Sequence, residues 1–501
     1  FDSLNGLDNM RLSIDTVREC NKVAEAALCY TGDILDPRRD KYDLKYYVDM
    51  AKELAAAGAN IIAIKDMAGL LKPEASYRLV SALKDAVDLP IHLHTHEGSG
   101  NAIYTYARAV DAGVDIVDTA MSAMSCGTSQ PSGSSLYYAL SGHPRQPRVD
   151  VDAMNELSRY WETVRPYYKA ADQTELFPNP EVYVHEMPGG QYTNLKQQAT
   201  ALGLIERWEE VKDMYHRVSM MFGDLIKVTP SSKIVGDMAL FMVQNDLSEE
   251  DIYAKGDVLD FPASVVEFFE GRIGVPYQGF PQKLQQIVLK GRKPLEGRPG
   301  DTLPPVNFEE IKAKLAELEA PITEEAVSSY CLYPKVFTDW VKRVHDFGDV
   351  SVLDTPTFFF GMKIGEEIKV EIEQGKMLVI KLVHIGEANA DGIRTVSFEF
   401  NGLPREIDIK DRNVKATNIS RKKADKANQG EIGATLSGSV VKVLVEKGQA
   451  VTKGPPLVVT EAMKMETTIA APISGIVAQI HVTAGNRIES GDCLLEIELK
   501  A

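Results

Sequence analysis

The run IIAIKD, residues 61–66, changes character at its end: four apolar residues are followed by Lys65 and Asp66. Three runs of the same build accompany it, ALCYTG from Ala27, IHLHTH from Ile91 and DIVDTA from Asp115. Between them the apolar period lengthens to that of helices, a strand–helix rhythm. The first helical stretch places Leu44, Tyr47, Val48, Ala51, Leu54 and Ala55 on one face and reaches Gly58 as a stop. Its apolar stripe should pack on a parallel sheet. Lys65, Asp66, His94 and His96 close their strands, where parallel α/β folds place their chemistry. Four units make half of an eight-unit TIM-type (β/α)8 barrel. The rhythm is already running at Phe1, so the opening half-barrel is expected to precede it.

The 501 residues carry a net charge of −17, which opposes general binding to nucleic acid or to an anionic membrane. Cys20, Cys29, Cys126, Cys331 and Cys493 are odd in number and scattered without CxxC spacing. Reduced thiols in an intracellular compartment follow. No run is long and apolar enough to span a bilayer, and no signal peptide is found. A targeting segment would have to lie ahead of Phe1.

Residues 1–148 read as the half-barrel and 149–305 as long helices forming a funnel over its site, interrupted by EMPGGQYTNL and VTPSSKIVGD. RPGDTLPPVN introduces residues 306–417, linker helices followed by a β-rich module. There the apolar period is two, through Ile368, Val370 and Ile372, Leu378, Ile380 and Leu382, and Val396, Phe398 and Phe400. Gln374-Gly375, Asp391-Gly392 and Asn401-Gly402 mark its turns. Residues 418–430 are polar and charged, a solvated tether to a last domain at 431–501.

That domain repeats itself: SGSVVKVLVEKGQAV from Ser437 aligns without a gap on SGIVAQIHVTAGNRI from Ser474. Two related half-sheets are implied. Lys464 falls between the copies, where a hairpin must connect them, and is framed by Met463 and Met465. Most lysines are solvated surface residues, but methionines on both sides of an exposed hairpin lysine are uncommon. EAMKM in this setting resembles the attachment motif of biotin carboxyl carrier domains; lipoyl domains share the repeat but present Asp-Lys-Ala. The resemblance implies a β-sandwich of the biotinyl/lipoyl type, biotin on Lys464, and a biotin protein ligase as a partner. The tether would hold that carrier at high effective concentration near its target.

His94 and His96 stand two apart, so on a strand both imidazoles face one way, as two metal ligands would. Ordinary hydrogen-bonded histidines at a strand end remain the other reading. Lys65 alone suggests a salt bridge or an anion site, because an ammonium repels a cation. Together with MSCGTSQPS, PGGQYTNLKQQA and VTPSSKIVGDMALFMVQN, the pattern resembles the pyruvate carboxylase family over essentially the whole chain. The resemblance implies a carbamylated Lys65 binding a divalent metal (Mn, Zn or Mg) with His94 and His96. It makes Thr128 a proton shuttle, where the bend GTSQPS by itself suggests only a capping hydroxyl. The reaction implied is carboxyl transfer from carboxybiotin to pyruvate, giving oxaloacetate.

Tyr192 and Lys196 are weaker candidates at the biotin entrance, a packing tyrosine and a surface lysine being the plainer reading. The resemblance further implies a homotetramer, with residues 306–417 as its tetramerisation or allosteric module, in the cytoplasm or, in a eukaryote, the mitochondrial matrix. The domain using ATP and bicarbonate, a further metal-binding aspartate and the pyruvate-binding side chains would precede Phe1. One departure stands beside the histidines: Glu97-Gly98 where relatives read Asp-Thr. Two rival readings are the α subunit of a biotin-dependent oxaloacetate decarboxylase and a carrier scaffold without chemistry.

Overall fold

The computed structural model describes residues 1–169, 172, 177–388, 392–411, 422–425, 428–435, 437–462 and 465–498. They fall into two compact units, one of Phe1–Arg165, Asp172–Thr302 and Arg421–Ala501, the other of Pro166–Ala171 and Leu303–Ser420.

In the first unit, β1 (Glu25–Cys29), β2 (Ile61–Asp66), β3 (Ile91–Thr95) and β4 (Ile116–Val117) form a parallel sheet in chain order. The crossovers are the helices Leu44–Ala56, Pro73–Ala86 and Ala102–Asp111. Leu28, Ile62, Ile64, Ile91 and Leu93 are fully buried with Tyr47, Leu54, Leu79 and Tyr106 of these helices. Each such side chain contributes about 1.5–3 kcal/mol relative to exposure, so this face sets the register. Period two then leaves Ala63, Lys65, His92 and His94 on the opposite face. This is the half-barrel that the strand rhythm predicts.

The helices Gly189–Ala201, Trp208–Met221, Ser231–Gln244, Ala263–Phe269 and Gln282–Leu289 share a second core around Val218, Phe222, Met238 and Phe268. Gly236 in VTPSSKIVGD lets two of them cross closely: a Cβ there would lie 2.5 Å from Gln191 Nε2 and 2.9 Å from Leu195 Cδ1. A buried ionic cluster ties the loop after β1 to this helical layer. Arg39 binds Glu186 Oε1 at 2.6 Å and Asp224 Oδ2 at 2.9 Å, and Lys227 Nζ binds Glu186 Oε2 at 2.9 Å and Asp224 Oδ1 at 2.5 Å. Two cations and two anions neutralise one another where water cannot.

The second unit contains β5 (Glu367–Glu373), β6 (Lys376–Ile385), β7 (Ile393–Phe400) and β8 (Leu403–Lys410), an antiparallel sheet in chain order. Asn401 and Gly402 both take positive φ, 49° and 78°, as a tight hairpin turn requires. Asp391 lies outside the described residues. The fourth strand escaped the sequence reading because every residue of β8 is exposed, so burial never sharpened its alternation.

The last domain is a sandwich of β9 (Glu431–Gly433), β10 (Gly438–Val443), β11 (Ala450–Val451), β12 (Pro456–Ala462), β13 (Met465–Ala470), β14 (Gly475–Ile480), β15 (Arg487–Ile488) and β16 (Cys493–Glu498). Its sheets run β13-β12-β10-β15 and β11-β14-β16-β9. Each sheet pairs a strand of one repeat copy with a strand of the other, β10 with β15 and β11 with β14. The two half-sheets therefore exchange edges around the core of Val440, Leu457, Val477 and Leu494.

Part of the expected tether is docked onto this sandwich. Lys423 forms an antiparallel bridge with Asp492, and Cys493 N donates to Lys422 O at 2.8 Å. Lys422 and Lys423 reach Glu431, Glu496 and Asp492 at 2.8 Å each. The lysines of this polar segment find matching carboxylates and a free strand edge, which composition does not reveal.

Candidate active site at the strand ends

The parallel register sets Cys29 beside Lys65 and Lys65 beside His94. His94 closes β3 and His96 follows it at i+2, and their Nε2 atoms lie 3.2 Å apart. Each opposite ring nitrogen is engaged: His94 Nδ1 with Asp118 Oδ2 at 2.8 Å, His96 Nδ1 with the Thr128 carbonyl oxygen at 2.6 Å. A carbonyl and a carboxylate only accept, so both Nδ1 atoms carry protons and the two Nε2 atoms are left facing one another, with the Gln130 amide nitrogen 3.5 Å from that of His96. A shared proton or a metal ion satisfies two ring nitrogens at that distance, and a hydrogen-bonded Nδ1 is the usual support of a metal-binding imidazole. Burial outweighs the Thr128 carbonyl and, with the positive charge of Lys65 and of His94 when that ring is protonated, brings the His96 pKa down to about 4. His96 is thus neutral at physiological pH, the form a metal needs.

Asp118 spans two histidines, since its Oδ1 lies 3.0 Å from His92 Nε2. Burial would raise its carboxyl, but the bonds and charges of His94 and His92 prevail and hold it below the usual range. Asp66, fully buried, accepts from Leu70 N and Leu71 N at 2.9 Å and from Thr95 Oγ1 at 2.7 Å. It shapes the loop after Lys65 and holds Thr95, the residue between the two histidines.

Lys65 shares the strand-end row with His94, but its Nζ stands 4.7 Å from the centroid of the Phe1 ring. Among the described residues it hydrogen-bonds to neither histidine. The donor set would fit a metal if Lys65 were carbamylated, because that modification exchanges the repelling ammonium for a carboxylate-type oxygen.

Thr128 lies in a pocket of about 60 Å³ lined by His96, Thr128, His185, Met187, Gly189 and Tyr192. GGQYTNL opens the helix Gly189–Ala201, and its first glycine is a steric requirement: a Cβ on Gly189 would come within 2.7 Å of Thr128 Cβ. Gly189→Ala is expected to cost about 1–3 kcal/mol of stability, by overpacking, and to lower activity by displacing Thr128. Melting and turnover measured on one preparation check this. Tyr192 is pinned by Trp208 Nε1, which donates to its hydroxyl at 3.3 Å, and Lys196 Nζ lies 5.9 Å from the Tyr192 ring centroid.

Glu97 is turned away from the histidines. Its Oε1 accepts from Ala102 N at 3.2 Å at the start of the helix Ala102–Asp111, and its own N–H donates to Ser129 O at 2.8 Å. The departure at Glu97-Gly98 therefore serves the backbone, and support of the histidines comes from Asp118 and Thr128. Asp118 and Gly189 escaped the sequence reading; the end of the run DIVDTA was the signal for Asp118. Lys464 lies outside the described residues, between β12 and β13, which pair with Ala462 opposite Met465.

Three family models match the chain: "HMGL-like" over residues 10–160, "Conserved carboxylase domain" over 182–381 and "Biotin-requiring enzyme" over 426–497. A solved structure of the carboxyl transferase domain from Rhizobium etli pyruvate carboxylase is 50% identical with a TM-score of 0.78, covering 82% of this chain and 69% of that one. The chain belongs to the pyruvate carboxylase family. Pyruvate carboxylase of Bacillus subtilis is 58% identical over 99% of this chain and 44% of its own length. The mitochondrial enzyme of Rattus norvegicus is 46% identical over 99% and 43%. The chain thus spans less than half the length of these family members. Among the described residues no helix is long and apolar enough to cross a membrane.

Proposed function

We propose that this chain performs the carboxyl-transfer half of a biotin-dependent pyruvate carboxylation, giving oxaloacetate, within a longer enzyme whose preceding part uses ATP and bicarbonate. The observation that carries the reading is the convergence of His94 Nε2 and His96 Nε2, 3.2 Å apart, beside the Thr128 pocket in a chain that also bears a biotin-type carrier. Pyruvate carboxylases matching its full length support this over a decarboxylase subunit or an inert scaffold.

Carbamylated Lys65, His94 and His96 would hold a divalent metal, which when bound supplies a Lewis acid for the oxygen of the developing enolate. Lys464 would hold biotin, attached by a biotin protein ligase, and that group when bound would supply the carboxyl. The chain's own residues do the rest. Asp118 and the Thr128 carbonyl keep both imidazoles aimed and in the right tautomer. The Thr128 hydroxyl would move the proton that leaves the pyruvate methyl carbon. Gly189, at the foot of its helix, lets the pocket wall close on Thr128, and the wall keeps water from the enolate. Residues 306–417 would serve assembly into a homotetramer. The whole enzyme would work in the cytoplasm of a bacterium or the matrix of a mitochondrion.

The test is incorporation of labelled bicarbonate by the full-length enzyme given ATP and pyruvate. Labelled oxaloacetate, abolished by avidin, is expected; label without a requirement for pyruvate refutes the reading. A second measurement addresses the metal. Asp118→Asn should weaken metal affinity roughly 10–100-fold, because a neutral amide holds the His94 proton less well. Unchanged metal content on dialysis against a graded chelator would remove the histidines from the site.

A further inference from the structure

The last strand of the carrier gathers a second set of metal-binding atoms, far in sequence from the barrel. The ligand atoms of His481, Cys493 and Glu496 all lie within 4.8 Å of one another. The fold brings them together: His481 N donates to Leu494 O at 2.8 Å, which seats His481 beside β16 between Cys493 and Glu496. Cys493 is buried, 1% exposed, and Glu496 Oε1 meets His481 Nε2 at 3.1 Å. The same Glu496 oxygen receives Lys422 Nζ at 2.8 Å, and Lys422 also reaches Glu431 Oε1 at 2.8 Å. The protein's own ammonium thus bridges two carboxylates beside an imidazole and a thiol. It occupies a place that attracts cations.

The donor types narrow the ion. Thiolate and imidazole favour zinc-class ions, whereas magnesium and calcium take oxygen ligands in larger number. We propose that His481, Cys493 and Glu496 form a binding site for a divalent transition ion of the zinc class, entered by displacement of the Lys422 ammonium, with Glu431 as the adjacent carboxylate. Uptake forms a metal–sulfur bond, breaks the Cys493 S–H bond and passes its proton to solvent; no electron is exchanged. Burial, with Glu431 and Glu496 adding to it against Lys422, pushes the unliganded thiol up to about 11, so it retains that proton until an ion arrives.

Cobalt(II) titrated into the full-length biotinylated enzyme is the test, because thiolate ligation gives a sulfur-to-metal charge-transfer absorption that a site of histidine and carboxylate ligands does not. The band should saturate at one thiolate-bound cobalt per chain, disappear in Cys493→Ser and persist in Cys29→Ser, the control for the thiol beside Lys65. Lys422→Met removes the competing ammonium and should tighten binding roughly tenfold. If Cys493→Ser does not fold, His481→Gln keeps the thiol and should weaken the same band. No band in the parent enzyme, a band that does not saturate, or one indifferent to both Cys493 and His481 overturns the assignment.

Discussion

Thr128→Ala should lower oxaloacetate formation by roughly 10²- to 10⁴-fold, the span of positioned general acid–base groups, while ATP-dependent carboxylation of biotin continues at its ordinary rate. The proposed relay and the support of His96 would use different atoms of this residue. Its backbone carbonyl holds His96 Nδ1 at 2.6 Å, and alanine keeps that carbonyl. Its side chain faces Gly189 in the pocket, and alanine loses only the hydroxyl and methyl there. Metal content should therefore stay at the parent level while proton transfer fails. Thr128→Ser, which retains the hydroxyl, should recover part of the rate. A purely structural threonine would instead lower the melting temperature and slow both half-reactions together. Near-parental oxaloacetate formation by the alanine variant would rule out a proton relay at this position.

Lys227→Met should destabilise the chain by about 3–5 kcal/mol, the cost of breaking a buried ion pair from one side. That is a large share of the 5–15 kcal/mol typical of a folded domain. Lys227 is 1% exposed at its side chain, and Glu186 is 5% exposed, so water cannot replace the lost ammonium. Among the described ion pairs of Glu186 and Asp224, those with Arg39 would then remain. The pH dependence reports the same interaction. Burial would raise the Glu186 carboxyl, but Lys227 and then Arg39 prevail and bring its pKa to about 2. A folded-state value below that of an unfolded glutamate, about 4.3, stabilises the fold above that pH. This contribution is lost as pH falls from about 4.3 toward 2, and the methionine variant, having less of it, should show a shallower acid loss. Equal denaturation midpoints for the two chains at neutral pH would refute the cluster's role.

The elements of this protein were readable because they rest on local periodicity. Alternation of side chains along IIAIKD and IHLHTH, and the 3.6-residue stripe of Leu44–Ala56, are properties of adjacent residues, so strands, crossover helix and sheet face follow without knowledge of the rest. The internal repeat likewise announced the sandwich, and spacing at i and i+2 announced that His94 and His96 face one way. Their partners were not readable. Asp118 is 24 residues from His94 and the Thr128 carbonyl is 32 from His96, and only the packing of β4 and the bend after it brings them within bonding distance. The same holds for Gly189, whose lack of a side chain matters because a distant threonine lies against it, and for Lys422, whose charge met carboxylates of a strand edge where composition suggested only water. Sequence determined which residues carry chemistry and which face they occupy. Tertiary structure alone decided which tautomer, which neighbour and which clearance each one has, since those depend on atoms brought together by the chain's closure and not by its order.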